Sequence, residues 1–317
     1  MGRNKKRPDD YAPLLQFYLR TKAEGGGLLV PGELKAILDA PARRECLVLV
    51  HGFNDTDSDA AEAYFGFRTR QKEIFGTPEV ADFDRRFGDA FWPGDADWWS
   101  FFDKADFLIY PGAVHNAVKA AKELADLLWR MPNLERVDFV GHSLGCRVAL
   151  ETLLFLRTRT LPMIGRVALM AAAVPSEMLE RGGKFFGLLT ELASEGTDIR
   201  VLHSKQDSVL HYAFPPGQSL AGAKEVSDRA LGRFGPSPWM PGFHSTLTER
   251  EIAGAAHGDY WGPSKTPPSL VATEDAGRFF SLGDIGREVG VARDVGAPAS
   301  AQVPRELGVS RELGEGG

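Results

Sequence analysis

Residues 139–145 read Phe-Val-Gly-His-Ser-Leu-Gly, a G-x-S-x-G pentad centred on Ser143. The apolar run ahead of it predicts a short buried strand over Val137–Val140, with Asp138 as its one polar position. Behind it, apolar residues recur at helical spacing from Cys146 to Leu156. A serine at such a strand-to-helix turn can serve as a nucleophile. Gly141 and Gly145 leave room for a turn too tight for side chains, and the turn holds Ser143 in a strained backbone conformation. Its hydroxyl then projects above the sheet, at the positive end of the following helix. The competing reading is a helix N-cap serine between glycines, and the strand before and helix after weigh against it.

A serine hydroxyl is a weak nucleophile near neutral pH, so it needs a base, a group that orients the base, and donors for the oxyanion. Residues 46–54 read Cys-Leu-Val-Leu-Val-His-Gly-Phe-Asn, a second buried-strand pattern running into His-Gly. The backbone N–H groups of Phe53 and Leu144 are the expected oxyanion donors. Gly52 would let the backbone approach the reacting carbonyl. His51 lies just past an early strand end and is expected to orient the loop, not to act as base. The partners should follow in the order serine, acid, histidine. Asp207 follows the apolar run that begins at Ile199, just beyond the strand's carboxyl end, where sites of parallel sheets gather; a turn-forming aspartate is the alternative. His257, in Ala-His-Gly-Asp-Tyr-Trp at 256–261, is the expected base. His244, after a Pro/Gly-rich loop, is its rival, and His211 a further one. In this scheme His257 takes the Ser143 proton and returns it to the leaving group, while Asp207 fixes the tautomer. His51, Gly52, Gly141, His142 and Gly145 are supporting residues.

These groups need a frame of alternating strands and helices. Helical patterns over Ala113–Arg130, with Val114, Val118, Ala121, Leu124 and Leu128 on one side, and after Ser143 alternate with apolar runs that include Val167–Val174. The alternation predicts an α/β fold: a doubly wound, mostly parallel central sheet flanked by helices. Residues 1–42 read as an N-terminal tail and flanking helices, with an amphipathic segment at Leu14–Arg20 and a short helix near Glu33–Ala40. The α/β domain is expected over 43–282. Its Pro/Gly-rich stretch 213–248 reads as a lid or insert. The aromatics of 83–110, Trp92, Trp98 and Trp99 among them, line a pocket or build core, and the second weighs more. Met178–Leu192 reads as a buried helix, with a helical cap as the alternative. Residues 283–317 carry glycine-punctuated repeats such as Arg305-Glu306-Leu307-Gly308 and Arg311-Glu312-Leu313-Gly314, and read as a disordered tail.

The set His51-Gly52-Phe53-Asn54, Trp92-Pro93-Gly94, Gly141-His142-Ser143-Leu144-Gly145, Ser204-Lys205-Gln206-Asp207 and His257-Gly258-Asp259-Tyr260 resembles the α/β-hydrolase superfamily. Within it, the chain is similar to bacterial serine-hydrolase and esterase/lipase-like families that pair an HGxN loop with a GHSxG elbow. The resemblance spans about residues 43–262. It implies hydrolysis of an ester, thioester or amide and leaves the substrate open. A carboxylic ester, small-molecule or lipid-like, is the expected substrate. An acyltransferase or thioesterase using the same three residues, and a catalytically silent binding module, are the alternatives.

Composition narrows the classes. The 317 residues are 43% hydrophobic and 25% charged, ordinary for a soluble globular chain, with a formal net charge of −6. That balance argues against nucleic acid as partner and against a broadly basic membrane-binding face. No apolar run approaches the roughly 20 residues that span a bilayer. The basic N-terminus is followed by Pro8-Asp9-Asp10 and not by an apolar core, which argues against a secretory signal. The two cysteines, Cys46 and Cys146, fall in predicted core positions and imply no disulfide framework, which fits a reducing, cytoplasmic setting. No cluster has zinc spacing, and the pattern calls for no metal and no cofactor. Partner binding by the C-terminal tail is left open.

Overall fold

Parallel strands covered on both faces are built from short, nearly continuous apolar runs, and those runs set the centre of this molecule. The computed structural model describes residues 15–19, 44–53, 57–76, 83–92, 110–160, 162–212, 214, 229–237, 246–262 and 264–282. Among the described residues, seven strands form one sheet: β1 (Leu15–Tyr18), β2 (Glu45–Val50), β3 (Phe87–Phe91), β4 (Arg136–His142), β5 (Met163–Met170), β6 (Ile199–His203) and β7 (Leu247–Glu251). Their order is β1-β3-β2-β4-β5-β6-β7, and every neighbouring pair is parallel. The helices are α1 (Asp57–Phe75), α2 (Tyr110–Arg130), α3 (Gly145–Leu156), α4 (Phe186–Ser194), the short α5 (Ser208–Tyr212) and α6 (Leu231–Phe234), and α7 (Pro267–Phe279). The fold is the expected α/β architecture. No helix among the described residues is long and apolar enough to cross a membrane.

The strand order fixes where chemistry can occur. From β2 the chain turns to one side to form β3, then crosses back to place β4 on the other side of β2. The loops leaving β2 and β4 therefore diverge and open a crevice at their carboxyl ends. His51-Gly52-Phe53 leaves β2 there, and Ser143 leaves β4 there.

α3 packs over β2, β4 and β5, and α2 packs on α3. The buried stripe of α2 runs through Ala113, Ala117, Ala121, Leu124 and Leu128. Val114 and Val118, expected on that stripe, are only half-buried at its flank. Alanines let the two helix backbones come close, so the small residues face the contact. The aromatics Phe91 and Trp92 are fully buried core; Trp98 and Trp99 lie outside the described residues.

α1 is tied to the strands at the crevice. The Tyr64 hydroxyl accepts from the His51 N–H (2.7 Å) and donates to the Ala90 carbonyl (2.6 Å). One turn along, Arg68 pairs with Asp89 of β3 at 2.5 Å, both side chains out of solvent. Burial pushes the Asp89 carboxyl up and the guanidinium opposes that shift. Asp138, the polar position of β4, accepts the Arg166 N–H (2.6 Å) beside an irregularity in the β4–β5 register. It thus takes up a backbone donor that the ladder leaves over.

Two strands depart from expectation. Leu15–Tyr18, in the segment expected to precede a core starting near Arg43, forms the edge strand β1 beside β3. Its Leu15 and Phe17 are buried while Gln16 and Tyr18 are half-buried, a two-residue period too short to stand out in the sequence. At the other edge, β7 takes its first two residues from the end of the stretch expected as an insert. Its Thr248, Glu249, Arg250 and Glu251 carry no apolar signal; the strand is held by backbone pairing to β6, and charged side chains suit an exposed edge. The rest of the 213–248 stretch is described only at 214, 229–237 and 246. Met178–Leu192 divides into a 3-10 turn (Ser176–Leu179) and α4, whose Leu188, Leu189 and Leu192 are buried. The chain divides into two units, Met1–Gly283 and Asp284–Gly317. The second, with the expected tail, lies outside the described residues, as does the Glu33–Ala40 helix.

Candidate active site

Ser143 stands in the turn between β4 and α3 with φ +53°, a left-handed conformation rare for a residue with a side chain. Backbone bonds hold it there: its N–H donates to Met170 (3.0 Å), and its carbonyl accepts from Cys146 (3.2 Å) and Ala173 (3.0 Å). The flanking glycines are sterically required. A Cβ on Gly141 would lie 2.8 Å from Cys146 Cα, and one on Gly145 would overlap the His51 carbonyl. Ala171, just past β5, also has positive φ (+45°), so two strained residues sit side by side in space at the sheet's carboxyl edge.

Asp207 is carried on the turn after β6 and is fully buried. Its Oδ1 accepts the Leu210 N–H (2.9 Å), which caps α5, and Arg233 donates to its carbonyl (3.0 Å). The turn-forming role is therefore real. It occupies one carboxylate oxygen and leaves the other, Oδ2, directed at His257 Nδ1, 2.7 Å away. His257 opens a 3-10 turn (His257–Tyr260) after β7. Its Nε2 lies 2.9 Å from Ser143 Oγ. With Nδ1–H donating to the carboxylate, Nε2 carries the lone pair and accepts from the hydroxyl. Three residues 64 and 50 positions apart along the chain thus form one hydrogen-bonded row. His244 lies outside the described residues. His211 sits in α5, exposed, its ring against Tyr212.

The loop after β2 faces this row. A Cβ on Gly52 would lie 3.0 Å from Ser143 Cβ and 3.5 Å from Oγ, so only a hydrogen can occupy that position without a shift. The N–H groups of Phe53 and Leu144 donate to no acceptor among the described residues. His51 is fully buried. Its Nδ1 donates to the Gly52 carbonyl (2.8 Å), its Nε2 accepts the Trp92 N–H (3.2 Å), and the indole N–H of Trp92 reaches the His51 carbonyl (2.9 Å). Both ring nitrogens are engaged, so His51 orders the loop and has no free nitrogen for proton transfer.

Tyr64 escapes the sequence reading, and Trp92 and Asp259 are named there without these roles. Tyr64 and Trp92 clamp the Gly52 loop, and no local pattern marks Tyr64. Asp259 accepts from the Ala256 N–H (2.8 Å) and from the Ser264 and Thr266 hydroxyls (2.8 and 2.9 Å), which pins the loop bearing His257. Cys146 is buried with its thiol pushed up by burial, which makes it an inert packing residue. No group of side chains suited to a metal occurs among the described residues.

A parallel sheet with a strained serine after a central strand, and an acid and a histidine on later loops, defines an α/β-hydrolase fold. Residues 31–214 match the model of the family described as alpha/beta hydrolase of unknown function (DUF900), and the chain belongs to that family. No curated protein matches. The chain is similar to several solved structures at low identity. An esterase from Pyrobaculum calidifontis is 14% identical, with 77% of each chain covered and a TM-score of 0.39. Est1E from Butyrivibrio proteoclasticus is 12% identical, with 77% of this chain and 90% of that one covered and a TM-score of 0.40. A lipase-esterase related protein from Clostridium acetobutylicum is 10% identical, with 74% and 94% covered and a TM-score of 0.37.

Proposed function

We propose that this protein is a serine hydrolase that cleaves a carboxylic ester through Ser143, His257 and Asp207. The observation that carries this reading is the unbroken row from Asp207 Oδ2 through both His257 nitrogens to Ser143 Oγ, at 2.7 and 2.9 Å. In the first half-reaction Oγ bonds to the ester carbonyl carbon as its proton passes to His257 Nε2. The oxyanion lies against the Phe53 and Leu144 N–H groups, each worth roughly 3–4 kcal/mol in the transition state. The C–O bond to the leaving group then breaks, and Nε2–H delivers its proton to the departing alkoxide. Water repeats the sequence on the acyl-enzyme, releasing the acid and free Ser143. Asp207 stays ionised and stabilises the imidazolium.

Labelling with a fluorophosphonate probe tests this without knowledge of the substrate. Wild type is expected to label, and Ser143→Ala to be silent at equal folding. A folded wild type that does not label, together with no hydrolysis across a panel of p-nitrophenyl esters of increasing acyl length, would overturn the proposal.

A further inference from the structure

His142 precedes the nucleophile and takes no direct part in the bond-making steps above. The residue is buried, with 6% of its surface exposed. The ring lies 4.9 Å from the His257 ring and packs on Trp261 (5.7 Å) and Tyr260 (6.1 Å). Its Nε2 lies 2.8 Å from the backbone carbonyl of His257. A carbonyl can only accept, so Nε2 carries the proton and donates. Nδ1 then holds a lone pair, with no partner among the described residues, against the Gly52 backbone.

From this geometry we infer that His142 is a positioning residue for the base: its Nε2–H ties the His257 backbone to the serine turn and sets the His257-to-Ser143 distance. The inference rests on the hydrolase reading above and deepens it. Ser143 is rigid because its backbone is held from three sides. His257 is on a later loop, joined to the sheet through β7 at its edge. Asp207 fixes the tilt of the imidazole through Nδ1 and acts on the ring, not on the His257 backbone. Asp259 pins the loop at Ala256, and the His142 bond acts on the backbone of His257 itself, so with the Asp207 contact these bonds determine where Nε2 sits. Burial holds the His142 ring far below its ordinary range, at about 3, with the neighbouring His257 adding to the shift. It therefore stays neutral, and no second cation opposes the imidazolium that forms on His257.

The test compares His142→Gln, which keeps an N–H donor, with His142→Met, of like size and without one, and with His142→Phe, which keeps a ring. Fluorophosphonate labelling is followed against probe concentration to separate the maximal rate from probe affinity, with folding checked by circular dichroism. Displacement of a reacting group by about 1 Å can cost on the order of 100-fold. The expected result is a maximal rate lowered about 10- to 100-fold in Met and Phe, with probe affinity within about twofold of wild type and the rate largely restored in Gln. A loss caused by packing alone would strike Gln and Met equally, and that outcome overturns the inference. So does full activity in folded Met or Phe. Failure of wild type to label is a different result: it removes the hydrolase reading and this inference with it.

Discussion

Replacing Asp207 by Asn tests whether the carboxylate acts through the tautomer of His257. The side chain is fully buried and both of its oxygens accept: Oδ1 from the Leu210 N–H at 2.9 Å and Oδ2 from His257 Nδ1–H at 2.7 Å. Asparagine has one acceptor and one donor, so it cannot serve both. If its oxygen stays on Leu210, its NH2 faces His257 Nδ1 and pushes the imidazole proton to Nε2. Nε2 then donates to Ser143 and cannot act as base. If the amide flips, its NH2 meets the Leu210 N–H, two donors face each other out of solvent, and one goes unsatisfied at about 1–3 kcal/mol. The base-competent arrangement is therefore disfavoured about 5- to 150-fold from hydrogen bonding alone. Loss of the charge that stabilises the imidazolium brings the total towards about 10⁴-fold in kcat, or about 5.4 kcal/mol. Single-turnover ester cleavage or the fluorophosphonate labelling rate reads this directly, with circular dichroism confirming the fold. Retention of activity within about threefold of wild type would refute the reasoning, because an orienting carboxylate cannot be exchanged for an amide at that cost.

Further outcomes follow from strain, charge and burial. Ser143→Gly should be inactive yet more stable by about 1 kcal/mol, since glycine tolerates φ +53°; a thermal melt should show a midpoint higher by about 2–4 °C. A lower midpoint would show that the turn is not strained. Asp89→Ala strands the Arg68 guanidinium out of solvent and should cost about 3–5 kcal/mol in denaturant unfolding; a cost under about 1 kcal/mol would mean that the pair is solvated. His142 is lowered from 6.5 to about 3 in the fold, so between those values the unfolded chain binds more protons than the native one. Its contribution to stability is present above pH 6.5 and lost on acidification through that window, at about 1.4 kcal/mol per pH unit. Unfolding at stepped pH should show a shallower acid decline in folded His142→Phe than in wild type; parallel curves would show that the ring is accessible to protons. Asp207, His257 and Tyr260 are the titratable groups facing it.

The serine turn was legible because it is local. Its glycines, strand and helix lie within about twenty residues, and the same steric demand that selects Gly141 and Gly145 creates the pattern. The alternation of apolar runs and helical faces likewise implied a parallel sheet, and a parallel sheet places its loops at one edge. Pairings that rest on backbone hydrogen bonds leave no such trace: β7 ends in three charged residues, Glu249, Arg250 and Glu251, and β1 is four residues of weak alternation. The Tyr64 clamp on the Gly52 loop was equally silent, because any helix can carry a tyrosine. By itself, then, the sequence determined the fold class, the turn that presents Ser143 and a short list of partners, since each depends on near neighbours in the chain. Only the tertiary structure decided that His257 meets both Ser143 and Asp207 and that His142 holds the His257 backbone. Those contacts join residues 50 to 115 positions apart, and their distances are set by strand order and loop packing, which no local pattern encodes.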